Sequence, residues 1–520
     1  MEEKWTREQL RLEIGQHFMV GLDSTELTPE MERFLAEYQI GNVILFKHNV
    51  ESGAQLRRLC ADVQKCVRKH TGHGALIAID QEGGPVTRLS GDSVNVPGAM
   101  AVAAAGGPEL ARRAGQLTGR QLRSLGVNFD FAPDMDVNCN PDNPVIGVRS
   151  YGDTPEQVIA YGAEMLRGLQ ESRVLACAKH FPGYGDLDLD PHLSLPRVTK
   201  PLEQLEKVEL LPFMRAVEAG VASIMTAHVI FPALEPEEIP ATMSRRIITG
   251  MLRERMGYEG LVVTDCMEMG AIASDYGTVR GAVRALQAGA DIALVSHTAL
   301  TAMEAVEAAE EALRNGSISM EELQRSTERI LRFKRAYQVG EAEPEYDNAG
   351  DMQETDRILR RSIAGYRLPE GRIPELGPNP LFASVQSYRA TLVNNEECRA
   401  LSFAGYMAEG YGGDSYLLSR EPSKKEVAEL FAAAEGHSAL VIGTYNGHLW
   451  KEQREMLGRL DQVKVPVLVA AFGLPYDLQD APGNVPGLAA WEYTPRSMAA
   501  VLAILRGEER PMGRMPIHLA

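Results

Sequence analysis

Residues 261–296 read LVVTDCMEMGAIASDYGTVRGAVRALQAGADIALVS. Leu261-Val262-Val263-Thr264 is an apolar run rich in β-branched residues that ends in Asp265, and Ile292-Ala293-Leu294-Val295-Ser296 is a second such run. Between them, 278–290 carries apolar residues at helical spacing. Strand, helix and strand in so short a stretch make a βα unit whose two strands lie parallel. Neither run alternates polar with apolar, as expected where both faces of a sheet are covered. The same rhythm extends upstream, with runs at 17–22, 42–46, 76–80, 129–133, 176–180 and 223–228 completing eight. Thr28-Pro29-Glu30 and Thr154-Pro155-Glu156 each read as N-cap, first-turn proline and first-turn acid. Ser244 caps a helix reaching Met256, and 201–220 and 300–316 show helical periodicity.

Eight regular units predict an α/β fold whose first part is a (β/α)8 TIM-like barrel rather than a doubly wound open sheet. The barrel is expected over residues 1–339. The acidic, turn-rich stretch GEAEPEYDNAGDMQETD at 340–356 reads as a linker. Residues 357–520 then form a smaller C-terminal α/β sandwich domain, with strands expected at 415–419, 439–445, 465–472 and 488–493 and helices at 424–435 and 496–506.

Composition narrows the partners. The 520 residues are 44% hydrophobic and 24% charged, which excludes a disordered, collagenous or coiled-coil chain. Fifty-three basic against 71 acidic residues give a net charge of −18, which argues against nucleic acid and anionic membrane as partners. No run reaches the ~18 apolar residues of a membrane span, and Met1-Glu2-Glu3-Lys4-Trp5 lacks the apolar stretch of a signal peptide. The six cysteines are scattered, with no Cys-x-x-Cys pair and so no zinc-ribbon or thioredoxin-like pattern. The expectation is a reduced, cytoplasmic protein with no cofactor and no metal, acting on a small molecule.

Barrel sites lie at the carboxyl ends of the strands. The third run ends in Asp80, the fifth in Lys179-His180, the sixth in His228 and the seventh in Asp265. One such residue is a solvated strand end; four on one rim read as a site. The fifth run continues as KHFPGYGDLDLDPH, residues 179–192. In an extended segment Asp190 and His192 share a face. A carboxylate beside an imidazole stabilises its protonated form, and the pair can serve as a general acid–base.

The run Lys179-His180-Phe181-Pro182-Gly183-x-Gly185-Asp186-x-x-x-Asp190-x-His192 resembles the signature of glycoside hydrolase family 3, in its NagZ-type β-N-acetylglucosaminidase branch. Ile79-Asp80-Gln81-Glu82-Gly83-Gly84 with Arg88-Leu89, the segment from Phe131-Ala132-Pro133 to Arg149-Ser150, and Gly260 through Asp265 are similar to the same branch. Thr444-Tyr445 and the stretches 484–493 and 507–516 resemble the family's C-terminal α/β domain. The resemblance implies a retaining, exo-acting β-N-acetylglucosaminidase. Its substrate class would be a small carbohydrate, terminal GlcNAc on muropeptide or chitin-type fragments. Asp265 would be the nucleophile, and His192, paired with Asp190, the general acid–base. Asp80, Arg88, Arg149, Lys179 and His180 would hold the terminal sugar, with His228 in the pocket wall. Tyr184, Leu187 and Pro191 stand where the family usually has His, Thr and Ser, and Pro85 where it has arginine. The alternatives are a β-N-acetylglucosaminide phosphorylase, a family 3 β-glucosidase and a non-catalytic sugar-binding protein.

Overall fold

The structure, a computed structural model, describes residues 5–187, 195–341, 346–386 and 401–519. Eight parallel strands close a barrel in chain order. They are β1 (Phe18–Gly21), β2 (Asn42–Leu45), β3 (Leu76–Ile79), β4 (Phe129–Asp130), β5 (Leu175–Phe181), β6 (Ser223–Thr226), β7 (Leu261–Cys266) and β8 (Ile292–Val295). Closure is made by β8 on β1, with Phe18 opposite Ala293 and Val20 opposite Val295. Every anticipated run carries a strand, because each is buried on both faces.

The helix Pro29–Glu37 begins as read, with the Thr28 hydroxyl accepting the Met31 N–H at 3.2 Å. The helix Pro155–Glu171 starts at the second Thr-Pro-Glu, but the Thr154 side chain makes no capping bond. The helix expected at 201–220 is instead two, Leu202–Lys207 and Leu210–Glu218. Pro212 has no N–H to return to the Val208 carbonyl, so one continuous helix cannot run through. The barrel is filled by Ile44, Leu76, Phe129, Leu175, Met225 and Leu294, among others, so it is a packed core and not a pore. No described helix is long and apolar enough to cross a membrane.

The second sheet has six strands: β9 (Ala364–Tyr366), β10 (Leu381–Val385), β11 (Asp414–Leu418), β12 (Leu440–Tyr445), β13 (Val467–Phe472) and β14 (Gly487–Ala489). Their order is β11-β10-β12-β13-β14-β9, and β9 alone runs antiparallel to its neighbour. Separate apolar clusters cover its two faces. Strands β9 and β10 fall outside the four expected here. The stretch 340–356 also differs from a plain linker, since the helix Ala349–Ser362 begins inside it. Two of its acids are paired rather than solvated: Asp351 with Arg113 and Arg120 of the helix Pro108–Leu125, and Glu354 with Arg113.

The second sheet rests on the loops that follow β3 and β4. Glu492, three residues past β14, accepts the Gly98 N–H at 2.7 Å. His448 Nε2 lies 3.0 Å from the Pro141 carbonyl, and Arg496 donates to the Asn95 carbonyl at 2.7 Å.

Candidate active site

Asp80 follows β3, and the next residue organises the loop behind it. The Gln81 N–H donates to Asp130 at 3.0 Å, and the Gln81 side-chain oxygen accepts the N–H groups of Arg88 and Leu89 at 2.9 and 3.2 Å. The chain thus wraps around Gln81 and returns Arg88 toward Asp80, Nη2 to Oδ2 at 3.9 Å. Gly84 makes this turn at φ +54, and a Cβ there would lie 2.7 Å from both Glu492 Oε1 and the Gly98 nitrogen.

Lys179, in β5, reaches across the barrel mouth. Its Nζ lies 2.9 Å from Asp80 Oδ1 and 2.6 Å from Glu82 Oε1. Arg149 grips the same Glu82 carboxylate with two bonds of 2.8 Å and stands 3.5 Å from Asp134 Oδ2. The Lys179, Arg149 and Glu82 side chains are 2%, 4% and 6% exposed, whereas Asp80 is 18% exposed and is the open end of the lattice. Burial alone would raise Glu82, but Arg149 and Lys179 outweigh it and hold the carboxyl down to about 2. Burial would also lower Lys179, and the charges of Asp80 and Glu82 outweigh it and push the ammonium up. Glu82 and Lys179 are therefore ionised at neutral pH.

Asp136 is the second organising carboxylate. It accepts the His180 N–H at 3.1 Å, lies 2.8 Å from His180 Nδ1, and accepts the Tyr184 N–H at 2.7 Å. Burial raises it well above the usual carboxyl range, and the neighbouring Asp134 charge adds to this. The Tyr184 ring stacks on His180 with centroids 4.6 Å apart, and the Tyr184 carbonyl accepts the Asn143 amide at 3.0 Å. Tyr184 thus fills its place as a buried wall to the site. A cavity of about 210 Å3 lies beside Arg149, between 143–149 and the second domain's Tyr445, at the end of β12, Trp450 and Glu492.

Asp265, next to last in β7, is half-buried, its Oδ1 accepting the Cys266 N–H at 2.7 Å. It makes no ion pair among the described residues, unlike Asp80, Glu82 and Asp134, each of which lies within 4.0 Å of a lysine or arginine. His228 is fully buried, with Nδ1 2.9 Å from Thr242 Oγ1 and Nε2 2.8 Å from the Cys266 carbonyl. Both nitrogens thus serve the protein, and the ring braces the strand end that carries Asp265. Asp190 and His192 lie outside the described residues.

Asp80, Arg88 and Lys179 are brought together, Arg149 meets them through Glu82, and His180 follows Lys179 in β5 and is held by Asp136. Glu82, Asp134 and Asp136 are the site carboxylates that the sequence did not single out. The signal available was Asp134-Met135-Asp136, two acids sharing a face just past β4. Asp134, Asp136 and His180 each offer a metal-ligand atom within 4.8 Å of one another. Asp136 is already engaged with His180 and Tyr184 and Asp134 Oδ1 with the Asp136 N–H, and the Arg149 guanidinium 3.5 Å from Asp134 Oδ2 opposes a further cation.

The family model for the glycosyl hydrolase family 3 N terminal domain matches residues 9–333. The beta-hexosaminidase A of Pseudoalteromonas piscicida is 33% identical over 417 residues, covering 76% of this chain and 69% of that one. A beta-hexosaminidase of Thiobacillus denitrificans is 35% identical over 285 residues, covering 53% of this chain and 77% of that one. Among solved structures, a glycoside hydrolase family 3 beta-N-acetylglucosaminidase from Paenibacillus sp. superposes with a TM-score of 0.89 at 37% identity, covering 98% of this chain and 99% of that chain. With the barrel, the ionised rim and these likenesses all pointing one way, the chain belongs to glycosyl hydrolase family 3.

Proposed function

We propose that this chain is an exo-acting, retaining β-N-acetylglucosaminidase that removes terminal GlcNAc from muropeptide or chitin-type fragments. The observation that carries the reading is the contrast between carboxylates on one rim. Asp80, Glu82 and Asp134 face cations, while Asp265 faces none among the described residues. A carboxylate spent on an ion pair is a poor nucleophile, whereas one without a cation can attack. The lattice opposite supplies directional donors and acceptors for sugar hydroxyls through Asp80, Lys179 and His180.

In this mechanism Asp265 attacks the anomeric carbon as His192, paired with Asp190, gives a proton to the departing oxygen. The glycosyl-enzyme is then opened by water, which returns its proton to His192, and two displacements at one carbon retain configuration. Hydrolysis is favoured over phosphorolysis because Lys179 and Arg149 are committed to carboxylates and do not offer a second anion a seat.

The test is turnover of an aryl β-GlcNAc beside the aryl β-glucoside, with products followed at millimolar phosphate. GlcNAc released from the first substrate is the expected product. GlcNAc-1-phosphate as the main product, or preference for the glucoside, overturns the reading. Asp265→Asn should abolish turnover with the fold intact, and a fluorinated GlcNAc inactivator should label the peptide containing Asp265. His192→Ala should hurt substrates with poor leaving groups far more than activated aryl glycosides.

A further inference from the structure

We propose that Phe46, flanked by His48 and His297, is the platform that seats the second sugar ring, on the leaving-group side of the scissile bond; this rests on the reading that the substrate is a GlcNAc glycoside. The three rings form a short ladder, with centroids 5.1 Å apart for Phe46 and His297 and 5.9 Å for Phe46 and His48. Phe46 is half-buried and both histidines are exposed.

The ladder occupies the part of the rim that the ionic lattice leaves free. Around the barrel the strand order is β7, β8, β1, β2, β3. Asp265 lies next to last in β7, His297 lies just past β8, Phe46 directly follows β2, and Asp80 follows β3. At one end the ladder is tied to the nucleophile's strand. Ser296 Oγ lies 2.9 Å from Cys266 Sγ, and the His297 N–H donates to Glu268 at 2.6 Å. At the other end Lys47 Nζ donates to the Leu89 carbonyl at 3.2 Å, one residue from the Arg88 that faces Asp80. The ladder therefore spans the arc between the two carboxylates, opposite the arc of β4 and β5 where Lys179, Arg149 and Asp136 converge.

The segment is also held rigidly. The Phe46 N–H donates to the Asn49 side chain at 2.9 Å, and Asn49 in turn donates to the carbonyls of Leu22 and Ser24 at 3.1 and 2.8 Å. His48 Nε2 lies 3.0 Å from the same Leu22 carbonyl. The inner part of Phe46 packs on the barrel core. A fixed aromatic face loses little freedom on binding. Its chemistry complements that of the lattice. A β-linked pyranose with equatorial substituents exposes axial C–H groups on its ring faces, and these pack on an aromatic ring, whereas its hydroxyls point to the rim. The terminal sugar takes the ionised arc, and the next ring extends over the aromatic one.

The experiment compares kcat/KM for N,N′-diacetylchitobiose and for methyl β-GlcNAc, whose leaving group has no ring. Phe46→Ala should lower the disaccharide value about tenfold and leave the methyl glycoside within twofold. Phe46→Leu keeps apolar bulk under the rim and should behave like Phe46→Ala on the disaccharide, which separates lost stacking from lost packing. The inhibition constant for free GlcNAc should not move. An equal fall on both substrates, or no fall on either, overturns the platform while leaving the proposed activity standing. Wild-type protein that turns over neither glycoside defeats the proposed activity itself, and the platform with it.

Discussion

Glu82→Gln is the sharpest perturbation of the ionic lattice. The variant keeps the shape of the side chain but removes the negative charge that Arg149 and Lys179 share at 2.8 and 2.6 Å. Arg149 is left with Asp134 at 3.5 Å, and Lys179 with the more exposed Asp80 at 2.9 Å. Removing one partner from a buried ion pair costs about 3–5 kcal/mol. At about 2 cal/mol/K of unfolding entropy per residue, a cooperative unit spanning residues 9–333 shifts about 1.5 °C per kcal/mol, so Tm should fall about 4–7 °C. Under the proposed activity, in which Lys179 meets the sugar, kcat/KM should drop about tenfold or more, because Lys179 loses one of the two carboxylates that fix it. The pH dependence carries its own signature. Glu82 sits at about 2 in the fold against an ordinary 4.5, so its contribution is fully present above pH 4.5 and is lost as pH falls toward 2. The Tm difference between wild type and variant should be constant from pH 5 to 7 and close below pH 4.5. Calorimetry across that range, with kcat/KM on an aryl β-GlcNAc, is the assay. A Tm within 1 °C of wild type with unchanged kcat/KM would refute the lattice as the element that orders the pocket.

Three further outcomes follow from named contacts. Asp136→Asn offers one acceptor oxygen where two backbone N–H groups and the His180 Nδ1 now converge, so kcat/KM should fall about 10–100-fold with the fold retained by circular dichroism; unchanged kinetics would show that His180 holds its position without it. His228→Ala should lose about 2–4 kcal/mol in urea unfolding while the GlcNAc inhibition constant stays within twofold, and a tenfold rise in that constant at unchanged stability would return His228 to the sugar. Gly84→Ala places a Cβ 2.7 Å from Glu492 Oε1 and from the Gly98 nitrogen at φ +54, so it should cost about 1–3 kcal/mol and raise KM; an unaltered thermal scan would mean that the turn yields freely.

The barrel was legible because the sequence of a doubly covered strand is itself the signal. Runs such as Leu261–Thr264 cannot sit at a surface, and eight of them at helix-length intervals leave few topologies. The second sheet was harder to read. Leu381–Val385 carries the buried Ser384, whose hydroxyl accepts the Ala404 N–H at 3.3 Å, and Ala364-Gly365-Tyr366 is too short for any periodicity. The same limit applies to the site. Asp80, Lys179 and His180 stand at strand ends, where position alone marks them. Glu82, Asp134 and Asp136 look in sequence like solvated loop acids, and only the fold shows that they are buried between cations, a histidine and backbone N–H groups. His228 is the converse case, a strand-end histidine that looks like a ligand until its two nitrogens are seen to be occupied.

Glu492 has a consequence for the whole molecule. One carboxyl from the second sheet takes the Gly98 N–H and crowds Gly84, within the segment that returns Arg88 to Asp80. Under the proposed activity, the seating of the second sheet and the affinity for the sugar would be linked through this segment. With Asp80 holding the sugar under that activity, any coupling between this contact and the ligand acts by the same factor in both directions. Removing the second sheet would thus do more than trim a flank of the cleft. It would release the mouth of the barrel while leaving the packed interior, and the eight-stranded fold, in place.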